Sequence, residues 1–128
     1  MNCPFCSPEH DKGQNIILKN DHCMFIQKPQ EILIGSGLIV PITHRETVFD
    51  LTTVEWEATI ELLHQAKKIL DKEYEPHGYN IGWNCGSVGG QEIFHAHLHV
   101  IPRFDDEPLA GKGIRHWIKH PSNKRRSL

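Results

Sequence analysis

The sequence predicts an α+β fold in which an antiparallel sheet of about five strands packs against one long helix. Three observations support this prediction: several short alternating apolar segments, one long segment of helical periodicity, and short connections between them. The chain has 128 residues, of which 38% are hydrophobic and 23% are charged. These values are typical of one compact globular domain and leave no room for a second core.

Each predicted strand is a short apolar or alternating run that turn residues delimit. The first two strands are joined by a turn at Asn20 and Asp21, and the third follows Gly35-Ser36-Gly37 and ends at Pro41. The last strand lies downstream of a glycine-rich turn that contains Gly86, Gly89 and Gly90. The predicted strands cover residues 15–19, 22–28, 38–40, 79–84 and 97–103.

The long helix is predicted to begin at a capping box. Thr52 is followed three residues later by Glu55, and Leu51 and Trp56 occupy the positions of a hydrophobic staple. Pro76 and Gly78 are expected to end the helix. The apolar stripe that we expect to face the sheet consists of Trp56, Ile60, Leu63, Leu70 and Tyr74, with Ala66 beside it.

Charge, hydropathy and cysteine content restrict the functional classes. The net charge is −2 with neutral histidines, which argues against a cationic nucleic-acid-binding protein. The longest apolar stretches are too short to span a bilayer, and the N-terminus resembles no secretory signal, so we expect a cytoplasmic protein without a membrane partner. In that compartment the four cysteines favour a metal-binding or catalytic role over disulfides.

The densest chemical signal is the alternation of His95, His97 and His99. Residues two apart on a strand share a face, so all three imidazoles would point to one side of the sheet. On a regular strand His95 and His99 would lie roughly 13 Å apart, too far for one zinc ion to bind all three. A neutral imidazole is a competent nucleophile, and the glycine-rich turn upstream can present backbone N–H groups to an anion. The pattern indicates phosphoryl or nucleotidyl transfer.

The sequence resembles the histidine triad (HIT) family, whose signature is His-x-His-x-His followed by apolar residues. The resemblance covers residues 3 to 104 and is greatest to bacterial HIT-type hydrolases of dinucleoside polyphosphates such as diadenosine tetraphosphate. It implies a HIT-like sheet with a short second helix, one domain over 1–128 with a core to about 104 and a basic tail over 105–128, and a homodimer. The motifs that carry it are Cys-Pro-Phe-Cys, Pro41-Ile-Thr-His44, the spacing Asn84…Gly90-Gln91…His95, and Pro102-Arg103.

The resemblance also implies roles for individual residues. His97 would attack the α-phosphate, His99 would lie near the phosphate and the leaving group, and Asn84 would contact the phosphate. Gln27 would hold the ribose hydroxyls, whereas Phe25 and Ile26 would line the base pocket or belong to the core. The positions that match the phosphate loop are Gly90, Gln91 and Glu92. Glu92 stands where several relatives carry Ser or Thr, and because its carboxylate would repel a phosphate, we expect only its backbone N–H to contribute.

A structural zinc site is implied by related members that bind zinc through a Cys-x-x-Cys pair and two histidines. The corresponding residues are Cys3, Cys6, His44 and His95, which would form a closed tetrahedral site with one ion per chain. His95 would then have to leave the strand direction through a bend near Phe94. The alternative is an exposed N-terminus with two reduced thiols.

The implied activity is hydrolysis at the α-phosphate of dinucleoside polyphosphates or nucleoside phosphoramidates through a nucleotidyl-His97 intermediate. Two alternatives use the same residues: a nucleotidyl transferase or phosphorylase, and a zinc-containing nucleotide-binding protein without turnover. The basic residues between Lys112 and Arg126 would either bring cations to a polyphosphate or form a solvated tail. The sequence leaves open whether an added divalent cation accompanies the substrate.

Overall fold

A computed structural model describes residues 3–126 and has the α+β architecture that the sequence predicts. The strands are β1 (Asn15–Lys19), β2 (Cys23–Gln27), β3 (Gly37–Pro41), β4 (Gly78–Trp83) and β5 (Leu98–Arg103), and the helix is α1 (Thr53–Tyr74). Apart from α1, this part of the chain forms only three short 3₁₀-helices, at Pro8–His10, Val48–Asp50 and Pro121–Asn123. The predicted short second helix therefore has no α-helical counterpart in residues 3–126.

The five strands form one antiparallel sheet in the order β1-β2-β3-β5-β4. The last strand of the chain, β5, lies between β3 and β4, and β4 is an edge strand. In this register His99 pairs with Leu38 of β3 on one side and with Gly82 of β4 on the other. The third histidine of the triad therefore lies in the interior of the sheet, whereas His95 and His97 precede its strand.

The two faces of the sheet bury different apolar sets, because successive residues of a strand point to opposite faces. On the face that α1 covers, Phe25, Ile39, Leu98 and Val100 pack with Leu62 and Leu70 of the helix. On the opposite face, Met24, Ile26 and Val40 pack with Phe5 from the N-terminal segment. Leu98 and Val100 therefore face the helix, and their neighbour His99 faces the other way.

The helix has the predicted capping box, but its buried row differs from the predicted stripe. The Thr52 hydroxyl accepts a hydrogen bond from the Glu55 N–H at 3.2 Å, and the Glu55 carboxylate accepts one from the Thr52 N–H at 2.8 Å. Leu70 is buried as predicted, whereas Trp56 and Ile60 are 40% and 53% exposed. The row against the sheet is Ala58, Leu62, Ala66 and Leu70, in which two alanines allow the helix to approach closely. Because this row occupies the contact, the larger Trp56 lies beside it and meets Trp83 of the edge strand edge-to-face, with ring centroids 6.0 Å apart.

No helix in residues 3–126 combines the length and the apolar character that a membrane span requires.

Glu55 also ties the start of α1 to the loop that follows β3. Its carboxylate accepts hydrogen bonds from Nε of Arg45 at 3.0 and 3.2 Å, and the side chain is almost fully buried. The carbonyl oxygen of Arg45 in turn accepts a hydrogen bond from the N–H of Ala96 at 2.7 Å. Burial opposes ionisation of Glu55, but the hydrogen bonds from Thr52 and Arg45 outweigh it and lower the pKa of this carboxyl. The helix terminus, the loop after β3 and the histidine segment are thereby joined.

Replacing Glu55 with Gln should lower the free energy of unfolding by about 1–3 kcal/mol near neutral pH, because Arg45 loses its charged partner while the capping box is kept. The folded-state pKa lies below the unfolded value of about 4.3, so this contribution exists above about pH 4.3 and disappears as the pH falls through the folded value. Urea unfolding near pH 7 and near pH 3 measures the difference. Glu57→Gln on the exposed face of α1 is the control, and a Glu55→Gln effect that persists unchanged in acid would contradict this account.

Candidate active site and metal centre

The three histidines of the triad occupy different surroundings because the chain bends before β5. Residues 93–95 form a bend and β5 begins only at Leu98, so His95 leaves the strand direction as expected. His95 is fully buried, His97 is 7% exposed, and His99 lies on the sheet face opposite α1. The strict alternation of the sequence therefore does not produce three equivalent side chains.

Four side chains from three separate segments lie close together, and His95 is one of them. The Nδ1 atom of His95 lies 3.1 Å from Nδ1 of His44, 3.4 Å from Sγ of Cys3 and 3.5 Å from Sγ of Cys6, and the last sulfur lies 3.2 Å from Nδ1 of His44. All four candidate ligand atoms lie within 4.8 Å of one another. Tetrahedral zinc with ordinary Zn–S and Zn–N bonds separates its ligand atoms by about 3.3–3.8 Å. The donor set and its spacing therefore fit a closed Cys₂His₂ metal site.

The loop after β3 also orients His95 for such a role. Nε2 of His95 donates a hydrogen bond to the carbonyl oxygen of Pro41 at 2.8 Å, which leaves the lone pair of Nδ1 directed at the cysteines. Burial lowers the pKa of His95, and the neighbouring His44 and His97 lower it further, against the bond to Pro41. The neutral imidazole that metal coordination requires is thus favoured.

His97 is held by the same segment but is not one of the four candidate metal ligands. Its Nδ1 donates a hydrogen bond to the carbonyl oxygen of His95 at 2.8 Å, so Nε2 carries the free lone pair. Nε2 of His97 has no partner within residues 3–126 and is not sealed from solvent. The His97 ring contacts the ring of Phe5 at 5.1 Å and that of His99 at 5.0 Å between centroids. An imidazole fixed in this way presents one nucleophilic nitrogen.

His99 faces a cavity of about 230 Å³ on the sheet face opposite α1. Its Nε2 is the one buried side-chain nitrogen or oxygen in the described part of the chain that lacks a hydrogen-bond partner. Burial lowers the pKa of His99, with a smaller contribution from His97, which keeps the ring neutral. Because a buried polar atom without a partner is costly, a group of a bound ligand is the natural partner for Nε2. The other lining residues include Gln27, Gln30, Ser36, Leu38 and Ile101.

Of the residues expected at the nucleoside, Gln27 and Ile26 line this cavity but Phe25 does not. The Gln27 amide donates from Nε2 to the carbonyl oxygen of Gly35 at 3.0 Å, and no described residue donates a hydrogen bond to its amide oxygen. Phe25 is fully buried in the core beneath α1. The alternation of β2 explains this correction, because Phe25 and Ile26 necessarily point to opposite faces.

The glycine-rich loop begins where β4 ends, next to His97. The last β4–β5 pair is Trp83 with Leu98, so Asn84 and His97 lie at the same end of the sheet. Gly90 has a φ of 96°, and a Cβ atom there would lie 3.6 Å from the amide of the Asn84 side chain. A Cβ atom on Gly89 would collide with the carbonyl oxygen of Cys85 at 2.5 Å. Glycine is therefore favoured at position 90 by its positive φ and required at position 89 by the close approach of the Cys85 carbonyl oxygen.

Gln91 supports this loop through its side chain rather than offering that side chain to a ligand. It is 3% exposed; its Oε1 accepts from the N–H of Gly86 at 2.9 Å, and its Nε2 donates to the carbonyl oxygens of Glu46 and Ile93 at 2.7 and 3.1 Å. All three bonds go to backbone groups, so the side-chain amide has no hydrogen left for a phosphate. Glu92 is exposed and has no hydrogen-bond or ion-pair partner in residues 3–126.

The start of the basic C-terminal segment folds back onto the sheet edge through Arg103. The guanidinium donates to the carbonyl oxygens of Leu109 and Lys112 at 2.9 and 2.7 Å and pairs with Glu107 at 2.9 Å. Farther along, Ile114 lies over Gly82, the β4 residue that pairs with His99; its Cδ1 would be 3.2 Å from a Cβ atom at that glycine. The basic residues after Arg103 are exposed, so their role remains a prediction.

Sequence reasoning did not identify Phe5 or Arg45 as parts of the site. Phe5 lies inside the Cys-x-x-Cys pair, and its contacts with His95 and His97 depend on the bend before β5. Arg45 follows the candidate ligand His44 directly, but nothing in the sequence indicates that its carbonyl oxygen holds Ala96. Their proximity to the two predicted motifs was the only available signal.

A five-stranded sheet with one helix, a bent His-x-His-x-His segment and a glycine-rich loop define the histidine triad class of nucleotide-binding hydrolases and transferases. The sequence-family model of the HIT domain matches residues 9–106 of this chain. The chain therefore belongs to the HIT family, as the sequence resemblance indicated.

Three relatives and two solved structures illustrate the breadth of the family. The chain is 32% identical over 107 residues to "Protein hit" of Bacillus subtilis, with 80% of this chain and 72% of that protein covered. It is 34% identical over 71 residues to the AP-4-A phosphorylase of Mycobacterium tuberculosis, with 55% and 36% covered. With the adenylylsulfatase HINT3 of Arabidopsis thaliana it shares 29% identity over 122 residues, with 91% and 61% covered.

The solved structures agree on the fold. A HIT family member from Bacillus subtilis has a TM-score of 0.71 at 28% identity, with 83% of this chain and 76% of that chain covered. A Zn-bound histidine triad family protein from Mycobacterium smegmatis has a TM-score of 0.70 at 23% identity, with 85% and 78% covered.

Proposed function

We propose that the protein is a nucleotide hydrolase that cleaves at the α-phosphate of dinucleoside polyphosphates or nucleoside phosphoramidates. The observation that carries this proposal is the state of His97: Nδ1 is engaged by a carbonyl oxygen, and Nε2 is free and accessible. A cavity beside His99 and a glycine-rich loop beside Asn84 supply room for a nucleoside and contacts for a phosphate. Family membership and the names of the phosphorylase and sulfatase relatives support the reaction class.

In the first half of the proposed reaction, Nε2 of His97 forms a bond to the α-phosphorus while the bond from phosphorus to the leaving group breaks. The leaving group departs with the bonding electrons and takes a proton from solvent or from a neighbouring group. The imidazole becomes positively charged, and the carbonyl oxygen of His95 stabilises the Nδ1–H of that cation. Asn84, Gly90 and the Glu92 N–H would bind the phosphate oxygens.

In the second half, water attacks the phosphorus of the nucleotidyl-imidazole, and the phosphorus–nitrogen bond breaks. The electron pair returns to Nε2, water loses its proton, and a nucleoside monophosphate leaves. His99 would donate or accept a hydrogen bond at the phosphate through its unpaired Nε2. Gln27 and Ile26 would contact the nucleoside in the cavity.

A nucleotidyl transferase or phosphorylase is the second candidate, because the same intermediate can react with inorganic phosphate instead of water. The resemblance to AP-4-A phosphorylase favours this alternative. The products separate the two: diadenosine tetraphosphate yields AMP and ATP with water, but ADP and ATP with phosphate. A nucleotide-binding protein without turnover is the third candidate.

The purified protein should release AMP from diadenosine tetraphosphate and from adenosine phosphoramidate, and His97→Ala should lower the rate by about 10³-fold or more because the nucleophile is lost. Chromatography of the products measures both reactions, and equilibrium binding of AMP should persist in the variant. His64→Ala, on the exposed face of α1, is the matched control. The hydrolase proposal falls if neither compound, nor other nucleotides, yields a monophosphate with water as acceptor.

We also propose that Cys3, Cys6, His44 and His95 hold one structural zinc ion. The donor set and the interatomic distances support it, as does the Zn-bound relative of the same fold. A site with four protein ligands has no open position for substrate. The ion would hold the N-terminal segment against the histidine loop, and the chemistry would proceed at His97.

Elemental analysis should find about one zinc atom per chain, and Cys3→Ser should remove it because a tetrahedral site loses a ligand. Thermal unfolding with and without a chelator should show a lower Tm for the metal-free protein. Cys85→Ser lies outside the cluster and should keep the metal. A protein that contains no metal and is equally stable with a chelator would refute the site.

A homodimer is the third part of the proposal. Strand β4 pairs with β5 on one side only, and the exposed Trp56 and Ile60 of α1 lie on the helix flank toward that edge. An unpaired edge beside exposed apolar side chains is suited to pairing with a second copy about a twofold axis. Nucleotide is the expected ligand, and nucleic acid is not expected as a partner.

Sedimentation should show a dimer, and Ile60→Glu should shift it toward monomer because a charge would be buried in the interface. Val54→Glu is the control, since this exposed side chain is two residues from Trp56 and so lies about 200° away from it around the helix. A monomeric wild-type protein at micromolar concentration would contradict the proposed dimer.

A further inference from the structure

We propose that Phe5 is a positioning residue: it transmits the order of the candidate metal site to the ring of His97. This inference rests on the proposed function, in which His97 is the nucleophile. It assigns a catalytic consequence to the residue between the two cysteines, which is not one of the four candidate metal ligands and does not line the cavity beside His99.

Phe5 lies directly against both histidines of the bent segment. Its ring centroid is 5.1 Å from that of His97 with an interplanar angle of 55°, and 5.8 Å from that of His95 with an angle of 85°. The side chain is 3% exposed, so its position is determined by packing. One aromatic ring thus contacts the candidate nucleophile and a candidate metal ligand at once.

The back of the Phe5 ring rests on the sheet. Met24 and Ile26 of β2 and Val40 of β3 form an apolar cluster with it. The backbone on either side is held as well: the N–H of Cys6 donates to the carbonyl oxygen of Cys3 at 3.2 Å, and Gln14 donates to that of Pro4 at 3.0 Å. The Phe5 ring is therefore packed between the sheet and the imidazole rings of His95 and His97.

His97 needs this second constraint because its polar contact is single. The hydrogen bond from Nδ1 to the carbonyl oxygen of His95 fixes one nitrogen but leaves the ring free to tilt about that point. In-line attack requires Nε2 to point at the α-phosphorus, and a misplacement of about 1 Å can cost 10²-fold in rate. The Phe5 face limits the tilt on one side, and His99 meets the ring at 5.0 Å.

Two routes therefore connect the candidate metal site with His97. One runs through the backbone of His95, whose ring is a candidate ligand and whose carbonyl oxygen holds Nδ1 of His97. The other runs through Phe5, which Cys3 and Cys6 hold in place from both sides. If the Phe5 route carries the coupling, loosening the cysteines and truncating the phenyl ring should have overlapping effects.

The first test is Phe5→Leu in the zinc-loaded protein. The apolar cluster can accommodate leucine, but the planar contact with His97 is lost, so kcat should fall about tenfold while KM stays within about twofold. Zinc content should be unchanged. Phe49→Leu is the control, because Phe49 is 82% exposed and does not belong to the apolar cluster around Phe5. An unchanged kcat, or a loss confined to KM, would overturn the inference.

The second test is a cycle that combines Phe5→Leu with metal removal, at a temperature where circular dichroism shows the protein folded. Chelation should lower kcat less in Phe5→Leu than in the wild type, because part of the coupling is already gone. Fully additive losses would assign the coupling to the His95 backbone alone and overturn the Phe5 route.

A third readout does not depend on turnover. The ring protons of His97 should carry the ring-current shift of a nearby phenyl group in the NMR spectrum, and Phe5→Leu should remove it while Phe49→Leu does not. The Nδ1–H signal should persist in both variants, since its carbonyl partner is retained. A His97 ring signal that is insensitive to Phe5→Leu would contradict the inference, whereas a wild type that hydrolyses no nucleotide would refute the proposed function instead.

Discussion

The hydrogen bond between Nδ1 of His97 and the carbonyl oxygen of His95 is the contact on which the arrangement of the site depends. It forms because the chain bends before β5, so that the His95 ring turns toward the cysteines while its carbonyl oxygen turns toward His97. His95 therefore makes three kinds of contact. Its Nδ1 lies at the candidate metal cluster, its Nε2 donates a hydrogen bond to the carbonyl oxygen of Pro41, and its own carbonyl oxygen accepts one from His97. The result is a fixed tautomer with one accessible nitrogen.

The rest of the fold keeps this bend in place. The carbonyl oxygen of Arg45 accepts a hydrogen bond from the Ala96 N–H, and the Arg45 side chain pairs with Glu55, whose carboxylate caps α1. Gln91 joins the glycine-rich loop to the loop that carries His44 and to the residues before His95. The helix terminus, the loop that carries His44 and the glycine-rich loop are therefore one connected unit, built largely from hydrogen bonds to backbone atoms.

Local patterns predicted the elements well and the packing less well. The capping box of Thr52 and Glu55 and the alternation in β5 are short-range signals, and both are confirmed. The helix face was wrong for Trp56 and Ile60, because an alanine-containing row can approach a sheet more closely than bulky residues can. The convergence of Cys3, Cys6, His44 and His95 was available from family resemblance, whereas Phe5 and Gln91 act through long-range contacts that no spacing in the sequence reveals.

The main-chain character of the Gln91 contacts has a consequence for how such a site can diversify. Its partners at positions 46, 86 and 93 contribute only a carbonyl oxygen or an N–H, which every non-proline residue supplies. The exposed Glu46 side chain can therefore change without loosening the scaffold, whereas that of Ile93 also packs against the apolar cluster around Phe5. Substitution at position 46 can thus alter the surface charge next to the glycine-rich loop while the contacts that shape the loop stay the same.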